Sequence, residues 1–174
     1  WYQAYFPTRQ MLQQAAPANQ QRALTGEGSP YYLFHPLVAE RIASAYPDAK
    51  LIAILRDPVD RVVSHYRHEV RGGHESLSLE AAINAEAERT AQPSGRSTHD
   101  HYASYAMQHY TYLARGHYAE QLERFYEHFP KQQLLVLQFE RFFADPAAGF
   151  AQVLDFLDLP RDGVASEFER FNAG

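Results

Sequence analysis

The sequence contains no cysteine, which excludes disulfides, thiolate metal sites and a Cys-His catalytic pair. This absence leaves the redox compartment open, and our expectation is a cytoplasmic location. No apolar run approaches the roughly 20 residues that a membrane-spanning helix needs. Positive charge is not in excess either, since the formal net charge is −5 at pH 7. We therefore expect no membrane segment within these residues and no general nucleic-acid-binding surface.

Several catalytic and metal-binding patterns are also missing. The sequence has no Gly-x-Ser-x-Gly nucleophile elbow. Its nine histidines include two close pairs, His65 with His68 and His99 with His101. Neither pair belongs to a His-Glu-x-x-His motif or has a carboxylate at a diagnostic spacing. We therefore expect no metal ion in this protein.

The hydrophobic pattern predicts a single α/β domain. A chain of 174 residues with 45% hydrophobic residues can bury one core. The unbroken apolar run from Leu51 to Leu55 predicts a parallel strand that is covered on both faces and lies in the middle of a sheet. A second buried strand is predicted over 134–139 and a short one over 23–27. Helices are predicted over 36–46, 58–71, 79–90 and 145–157, with two more after a loop at 92–101, broken near Gly116 and ending before Pro130.

The segment that follows the first strand has the layout of an anion site. Asp57 stands where an N-cap belongs and Pro58 where the first helical residue belongs. A helix N-terminus beyond the carboxyl end of a parallel strand offers free N–H groups and a favourable dipole to a phosphate. Arg56 supplies a guanidinium and Ser64 a hydroxyl on the outer face. The inner face is predicted to be an apolar stripe formed by Val59, Val62, Val63, Tyr66 and Val70.

An ordinary structural explanation fits the same segment. Arg-Asp-Pro before a helix is also common capping, in which the arginine pairs with a surface carboxylate. These residues, taken alone, leave both interpretations open.

The motif RDPVDRVVSHY, residues 56–66, resembles the 3′-phosphate-binding segment of sulfotransferases that use 3′-phosphoadenosine 5′-phosphosulfate (PAPS). The resemblance extends over nearly the whole chain, which it identifies as the central and C-terminal part of a sulfotransferase domain over residues 1–174. Bacterial members and the glycan, heparan-type sulfotransferases are the most similar. The further matching segments read TGEGSPYYLFHP, GHESLSLEAAINAEAER, YLARGHYAEQLERFYEHFP, QQLLVLQFERFFADP and VLDFLDLP.

The resemblance implies a P-loop-like fold, with a parallel sheet flanked by helices. It also implies that Arg56 and Ser64 hold the 3′-phosphate of the donor. Phe139 matches a tyrosine that lines the nucleotide pocket in cytosolic members and could offer a ring face, although we favour a strand-end core position as its explanation. Glu27 and Tyr31 are candidates for the acceptor cleft, and a packed turn is their alternative explanation.

The sequence also departs from the family pattern. The family's Pro-Lys-x-Gly-Thr-Thr loop, which embraces the 5′-phosphosulfate, and its catalytic base both precede the segment that matches Trp1. The family's C-terminal basic loop would follow Gly174. We therefore expect an internal fragment, truncated at both ends, that is inactive as given and to which no catalytic residue is assigned. Gly28 stands where the glycan enzymes often carry a lysine.

The implied reaction is transfer of a sulfuryl group from PAPS, without a metal, to a hydroxyl or amine of a small-molecule or glycan acceptor. Two other classes stay open. The chain could belong to another P-loop-like kinase or transferase, or it could be a non-catalytic domain on a sulfotransferase scaffold.

Overall fold

The computed structural model describes residues 6–15 and 23–161. The chain divides into two compact units, Trp1–Pro30 and Tyr31–Gly174. In the first unit, helix α1 (Arg9–Ala15) is preceded by Thr8, whose hydroxyl accepts a hydrogen bond from the Met11 N–H. Residues 23–29 have no regular structure, so the strand predicted over 23–27 is wrong. Glycines at 26 and 28 disfavour a strand there.

The second unit alternates helices with two strands. In chain order its described elements are α2 (Val38–Ala45), β1 (Leu51–Leu55), α3 (Pro58–Arg71), α4 (Leu79–Arg89), α5 (Thr98–Tyr102), α6 (Tyr105–His109), α7 (Tyr118–Tyr126), β2 (Leu134–Gln138), α8 (Phe139–Ala144) and α9 (Pro146–Leu157). Single 3₁₀ turns at Ala114–Gly116 and Lys131–Gln133 precede α7 and β2. No described helix is long and apolar enough to cross a membrane.

The two strands are parallel, as the sequence predicts for an α/β fold. Their register pairs Leu51 with Leu134 and Leu55 with Gln138. The carboxyl ends of both strands therefore lie at the same edge of the sheet, and residues 56 and 139 begin the two segments that follow. Ligands of open α/β sheets bind at this edge.

One face of the sheet is covered and the other is open in the described part of the chain. Leu51, Ala53 and Leu134 pack with residues of α2 and α7, including Ala39 and Phe125. Ile52 and Ile54 point the other way and are 40% and 44% exposed. The expectation that β1 is covered on both faces in the middle of a sheet is thus wrong for the described residues, where β1 pairs with β2 alone.

Helix α3 starts as predicted but buries a different face. Val62 is buried and Tyr66 packs beside it. Val59 and Val70, however, are 70% and 43% exposed, while Glu69 is only 4% exposed. The predicted stripe is therefore only partly correct. Val62 belongs to a second core cluster with Ala82 and Tyr112, so the side of the helix that carries Val62 is the side that packs against the rest of the protein.

Hydrogen bonds to two buried carboxylates hold the loops around this second cluster. Glu75 accepts hydrogen bonds from the Arg89 guanidinium, at 2.6 Å, and from the Tyr112 hydroxyl, at 2.9 Å. Glu86 accepts from the backbone N–H groups of Leu113 and Ala114. These bonds join α4 to the segments before and after it, and each buried charge has its partners.

Several element boundaries differ from the predictions. Helix α2 begins at Val38 rather than Pro36. The loop at 92–101 is shorter, because the Ser97 hydroxyl caps α5 by accepting from the Asp100 N–H. Strand β2 ends at Gln138, so Phe139 is the first residue of a helix and not a strand-end residue. Helix α7 ends at Tyr126, earlier than predicted, and the sequence predicts neither α5 nor α8. The boundaries of β1, α3, α4 and α9 lie within about one residue of prediction.

Candidate phosphate-binding site

The candidate site begins where β1 passes into α3. Asp57 is the N-cap, as predicted, and its Oδ1 accepts hydrogen bonds from the N–H groups of Val59, at 2.9 Å, and Asp60, at 3.1 Å. Pro58 has no N–H, and the Arg61 N–H donates to the Asp57 carbonyl. The first-turn amides therefore already have partners. The expectation that they are free for a phosphate is wrong, because the Asp57 cap uses them.

An anion at this position must consequently be held by side chains. The Arg56 guanidinium lies over the Phe139 ring, 5.2 Å from its centroid. Its nearest acidic neighbour is Asp60, with a separation of 3.6 Å between Nη2 and Oδ2. The Nε of Arg56 is buried and has no hydrogen-bond partner in the described part of the chain. The guanidinium is thus oriented by an aromatic face and retains donor capacity.

Ser64 lies on the exposed side of α3. It follows Asp60 by four residues, a rise of about 6 Å along the helix, and residues with this spacing share a face. Because the Arg56 guanidinium reaches Asp60, the arginine and Ser64 lie along the same side of the helix. This arrangement is what the predicted phosphate contact requires.

Glu140 connects the two strand-end segments, and the sequence reasoning assigned it no role. Its Oε1 accepts a hydrogen bond from the Asp57 N–H at 2.8 Å. Its Oε2 is buried and has no partner among the described residues. The hydrogen bond from Asp57 is the main cause that lowers the pKa of Glu140, so the carboxylate is ionised at neutral pH. Its position directly after Phe139 is the one sequence signal that could have identified it.

Tyr118, the first residue of α7, lies beside the same loop. Burial raises the pKa of its hydroxyl, while Arg61 and a hydrogen bond from the Arg56 backbone lower it. The Arg61 guanidinium donates to the Tyr112 carbonyl, which anchors the first turns of α3. These contacts fix the backbone from which Arg56 projects.

The two predicted acceptor-cleft residues are placed differently. Glu27 is an exposed residue of the first unit. Tyr31 is half-buried in the second unit, where its hydroxyl donates to the Tyr102 carbonyl at 2.6 Å. The Arg115 guanidinium lies 4.8 Å from the centroid of the Tyr31 ring. Burial raises the pKa of Tyr31 to about 12. These contacts give Tyr31 a packing role, and a role of either residue in acceptor binding stays a prediction.

The structure therefore brings Arg56 and Phe139 into contact, places Ser64 on the same side of α3 and adds Glu140. An arginine fork, a hydroxyl and an aromatic face at the carboxyl ends of parallel strands are groups suited to a phosphate that is attached to an aromatic base. This combination is typical of nucleotide-binding α/β proteins, and the binding role of Arg56, Ser64 and Phe139 stays a prediction.

Comparison with known proteins names the family. The sulfotransferase family profile matches residues 2–163. Human heparan sulfate glucosamine 3-O-sulfotransferase 3B1 is 31% identical over 138 residues, which cover 79% of this chain and 32% of the human protein. Human bifunctional heparan sulfate N-deacetylase/N-sulfotransferase 3 is 31% identical over 159 residues, covering 91% and 16%.

A solved structure agrees with these sequence matches. The crystal structure of a sulfotransferase from Alicyclobacillus acidocaldarius matches with a TM-score of 0.69 and 34% sequence identity, over 89% of this chain and 58% of that one. This protein belongs to the sulfotransferase family, and its P-loop-like fold is that of a sulfotransferase. The chain spans a third or less of the length of the two human relatives.

Proposed function

We propose that the protein is an enzyme that transfers a sulfuryl group from PAPS to a hydroxyl or amine of an acceptor. The observation that carries the proposal is the contact between Arg56 and Phe139 at the carboxyl edge of the sheet, 5.2 Å from guanidinium to ring centroid. Membership of the sulfotransferase family supports the same donor.

In this proposal Arg56 and Ser64 bind the 3′-phosphate of the donor. Arg56 is the stronger contact, because charge-assisted hydrogen bonds between a guanidinium and a phosphate are short and can be bidentate. Its present partner Asp60 is 3.6 Å away and exposed, so a phosphate can replace it at little cost. Phe139 holds the guanidinium in place and offers its ring edge to the base.

The chemistry is an in-line transfer. The bond between sulfur and the bridging oxygen of the phosphosulfate breaks, and a new bond forms between sulfur and the acceptor oxygen or nitrogen. The acceptor's proton passes to a general base or to water, and adenosine 3′,5′-bisphosphate leaves with the electron pair of the broken bond. Such a reaction depends mainly on positioning and on stabilising charge. The residues of this site fix the far end of the donor, so we expect them to act on donor binding.

We further propose a glycan acceptor in preference to a small molecule. The human relatives that cover most of this chain are named for heparan sulfate. Arg67 and Arg71 are exposed on α3, where they offer positive charge to an acidic or already sulfated chain.

The decisive experiment compares two nucleotides in the full-length protein. Adenosine 3′,5′-bisphosphate and adenosine 5′-monophosphate differ by the 3′-phosphate alone. The wild type should prefer the bisphosphate in isothermal titration calorimetry. In Arg56→Ala this preference should fall by about one to two powers of ten, since a charge-assisted hydrogen bond contributes about 1.5–3 kcal/mol.

Arg67→Ala is the matched control, because Arg67 is an exposed arginine of the same helix. It should bind both nucleotides as the wild type does. An unchanged preference in Arg56→Ala would refute the donor site. A second assay measures transfer of radiolabelled sulfate to a desulfated heparan-type glycan and to a simple phenol. If the protein binds the bisphosphate but transfers sulfate to neither acceptor, the non-catalytic alternative is indicated instead.

A further inference from the structure

A cluster of imidazoles surrounds a buried carboxylate between α3 and α6. Glu69 is 4% exposed. Its Oε2 lies 2.7 Å from Nδ1 of His109, and its Oε1 lies 3.1 Å from Nε2 of His65. The rings of His74 and His109 stack with their centroids 4.1 Å apart, and the Tyr105 hydroxyl lies 2.8 Å from Nδ1 of His74.

His65 is the unusual member of the cluster. Its side chain is 9% exposed, yet neither of its ring nitrogens makes a hydrogen bond within the described residues. The His65 ring therefore lies beside Oε1 of Glu69 without donating a hydrogen bond to it, so this carboxylate oxygen can take a further partner.

We propose that Glu69, His74 and His109 bind a divalent transition-metal ion, with Zn²⁺ the ion that best fits the donor set. One ligand atom from each of the three residues lies within 4.8 Å of the other two. Two imidazoles and a carboxylate are ligands that Zn²⁺ commonly takes in proteins, with a fourth position left for water. One carboxylate also neutralises half of the charge of a divalent ion.

The neighbouring groups are suited to outer roles. Metal-binding side chains are usually oriented by hydrogen bonds to their remaining atoms. Tyr105 contacts Nδ1 of His74 in this way, and His65 faces the second oxygen of Glu69. His74 and His109 are partly exposed, so an ion can enter from solvent. The metal would connect α3 to α6 and fix the turn at 72–78, which joins α3 to α4.

This proposal departs from the expectation of no metal that the sequence supports. The ligands are separated by five and then 35 residues along the chain, a spacing that no metal motif contains. The sequence reasoning considered pairs of neighbouring histidines, whereas the fold assembles histidines from a turn and a distant helix.

The test is a metal titration of the full-length protein after treatment with a chelator. Zn²⁺ should bind with a stoichiometry of one in isothermal titration calorimetry. Co²⁺ should give the visible absorption bands of a four- or five-coordinate site. His74→Ala and Glu69→Gln should each remove this high-affinity event. Tyr105→Phe keeps the ring and removes one outer contact, so the affinity should fall by about tenfold to a hundredfold.

His128→Ala is the control, because His128 is an exposed histidine outside the cluster. This variant should bind Zn²⁺ with the stoichiometry and affinity of the wild type. The absence of a stoichiometric event in the wild type would overturn the proposal. A metal affinity that is unchanged in both His74→Ala and Tyr105→Phe would also overturn it, since the signal would then come from scattered surface histidines. Tyr105 is 52% exposed, so Tyr105→Phe keeps the test valid even where Glu69→Gln fails to fold.

Discussion

The guanidinium of Arg56 and the ring of Phe139 meet across the end of the sheet, 5.2 Å apart, although 83 residues separate them in the chain. The ring restricts an arginine whose Nε has no partner within the described residues. A cation held over an aromatic face in this way is partly preorganised for an anionic ligand, because less side-chain freedom is lost on binding.

Replacing Phe139 should therefore weaken donor binding without removing the phosphate contact. A cation–π pair at a partly exposed site contributes about 0.5–1 kcal/mol, so Phe139→Ala should raise the Kd for adenosine 3′,5′-bisphosphate by roughly twofold to fivefold. Phe139→Tyr keeps the ring and should bind as the wild type does. Calorimetry on both variants makes the comparison, and equal losses in the two would contradict the assigned role of the ring.

Glu140 should affect nucleotide affinity through the hydrogen bond that its Oε1 accepts from the Asp57 N–H. Glu140→Gln retains an acceptor oxygen, whereas Glu140→Ala leaves the amide without its partner and frees the Arg56–Asp57 turn. We expect nucleotide affinity to fall more in the alanine variant than in the glutamine variant. Glu127→Ala, a change at an exposed position just after α7, serves as the control. Identical affinities in the three variants would mean that the turn is held by other contacts.

Glu75 should be important for stability. Its side chain is fully buried, while that of its partner Arg89 is 24% exposed. Removing one partner of such a pair leaves the other charge uncompensated, so Glu75→Leu should lower the free energy of unfolding by about 3 kcal/mol. Urea denaturation measures this loss of unfolding free energy. Glu88→Gln, on the exposed side of α4, is the control and should leave the stability unchanged. A loss below about 1 kcal/mol would contradict this prediction, because it would mean that the Glu75–Arg89 pair contributes no more than an exposed salt bridge does.

Stability should also fall at alkaline pH because of Tyr31. Burial raises its pKa in the folded protein to about 12, from 10.0. Above pH 10 the unfolded chain loses this proton while the folded chain keeps it, so the unfolded state is favoured as pH rises. The contribution is complete below pH 10 and is lost as pH approaches 12.

Tyr31→Phe should reduce the slope of this part of the stability profile. Tyr126→Phe, at an exposed position of α7, is the comparison variant and should change the slope less. Urea denaturation at a series of pH values from neutral to alkaline would reveal the difference. A Tyr31→Phe profile that keeps the wild-type slope would show that another group titrates there.

The parts of the fold that depend on neighbouring residues could be predicted from the sequence. Asp57 and Pro58 specify a helix start through the geometry of a cap. The strand at 51–55 follows from five consecutive apolar residues, and its boundaries are correct. The exposed positions of Ser64, Arg67 and Arg71 on α3 follow from the 3.6-residue period of an α-helix.

Contacts between distant residues could not be predicted in this way. The bond from Asp57 to Glu140 depends on the parallel register, and the burial of Glu69 depends on histidines from outside its helix. Val70 is as apolar as Val62 and lies at a compatible spacing, but only Val62 meets a neighbour in the second core cluster. Periodicity predicts which residues share a face, whereas tertiary packing decides which part of that face is covered.

Leu55 and Gln138, the last residues of the two strands, are paired in the sheet. The residues that follow them, Arg56 and Phe139, therefore lie side by side, and their proximity depends on the lengths of both strands. Deleting one residue from either strand would shift its end by about 3.3 Å and turn the following side chain to the opposite face of the sheet. Homologous chains with other residues in these strands can therefore keep the site, whereas a chain with one strand a residue shorter cannot.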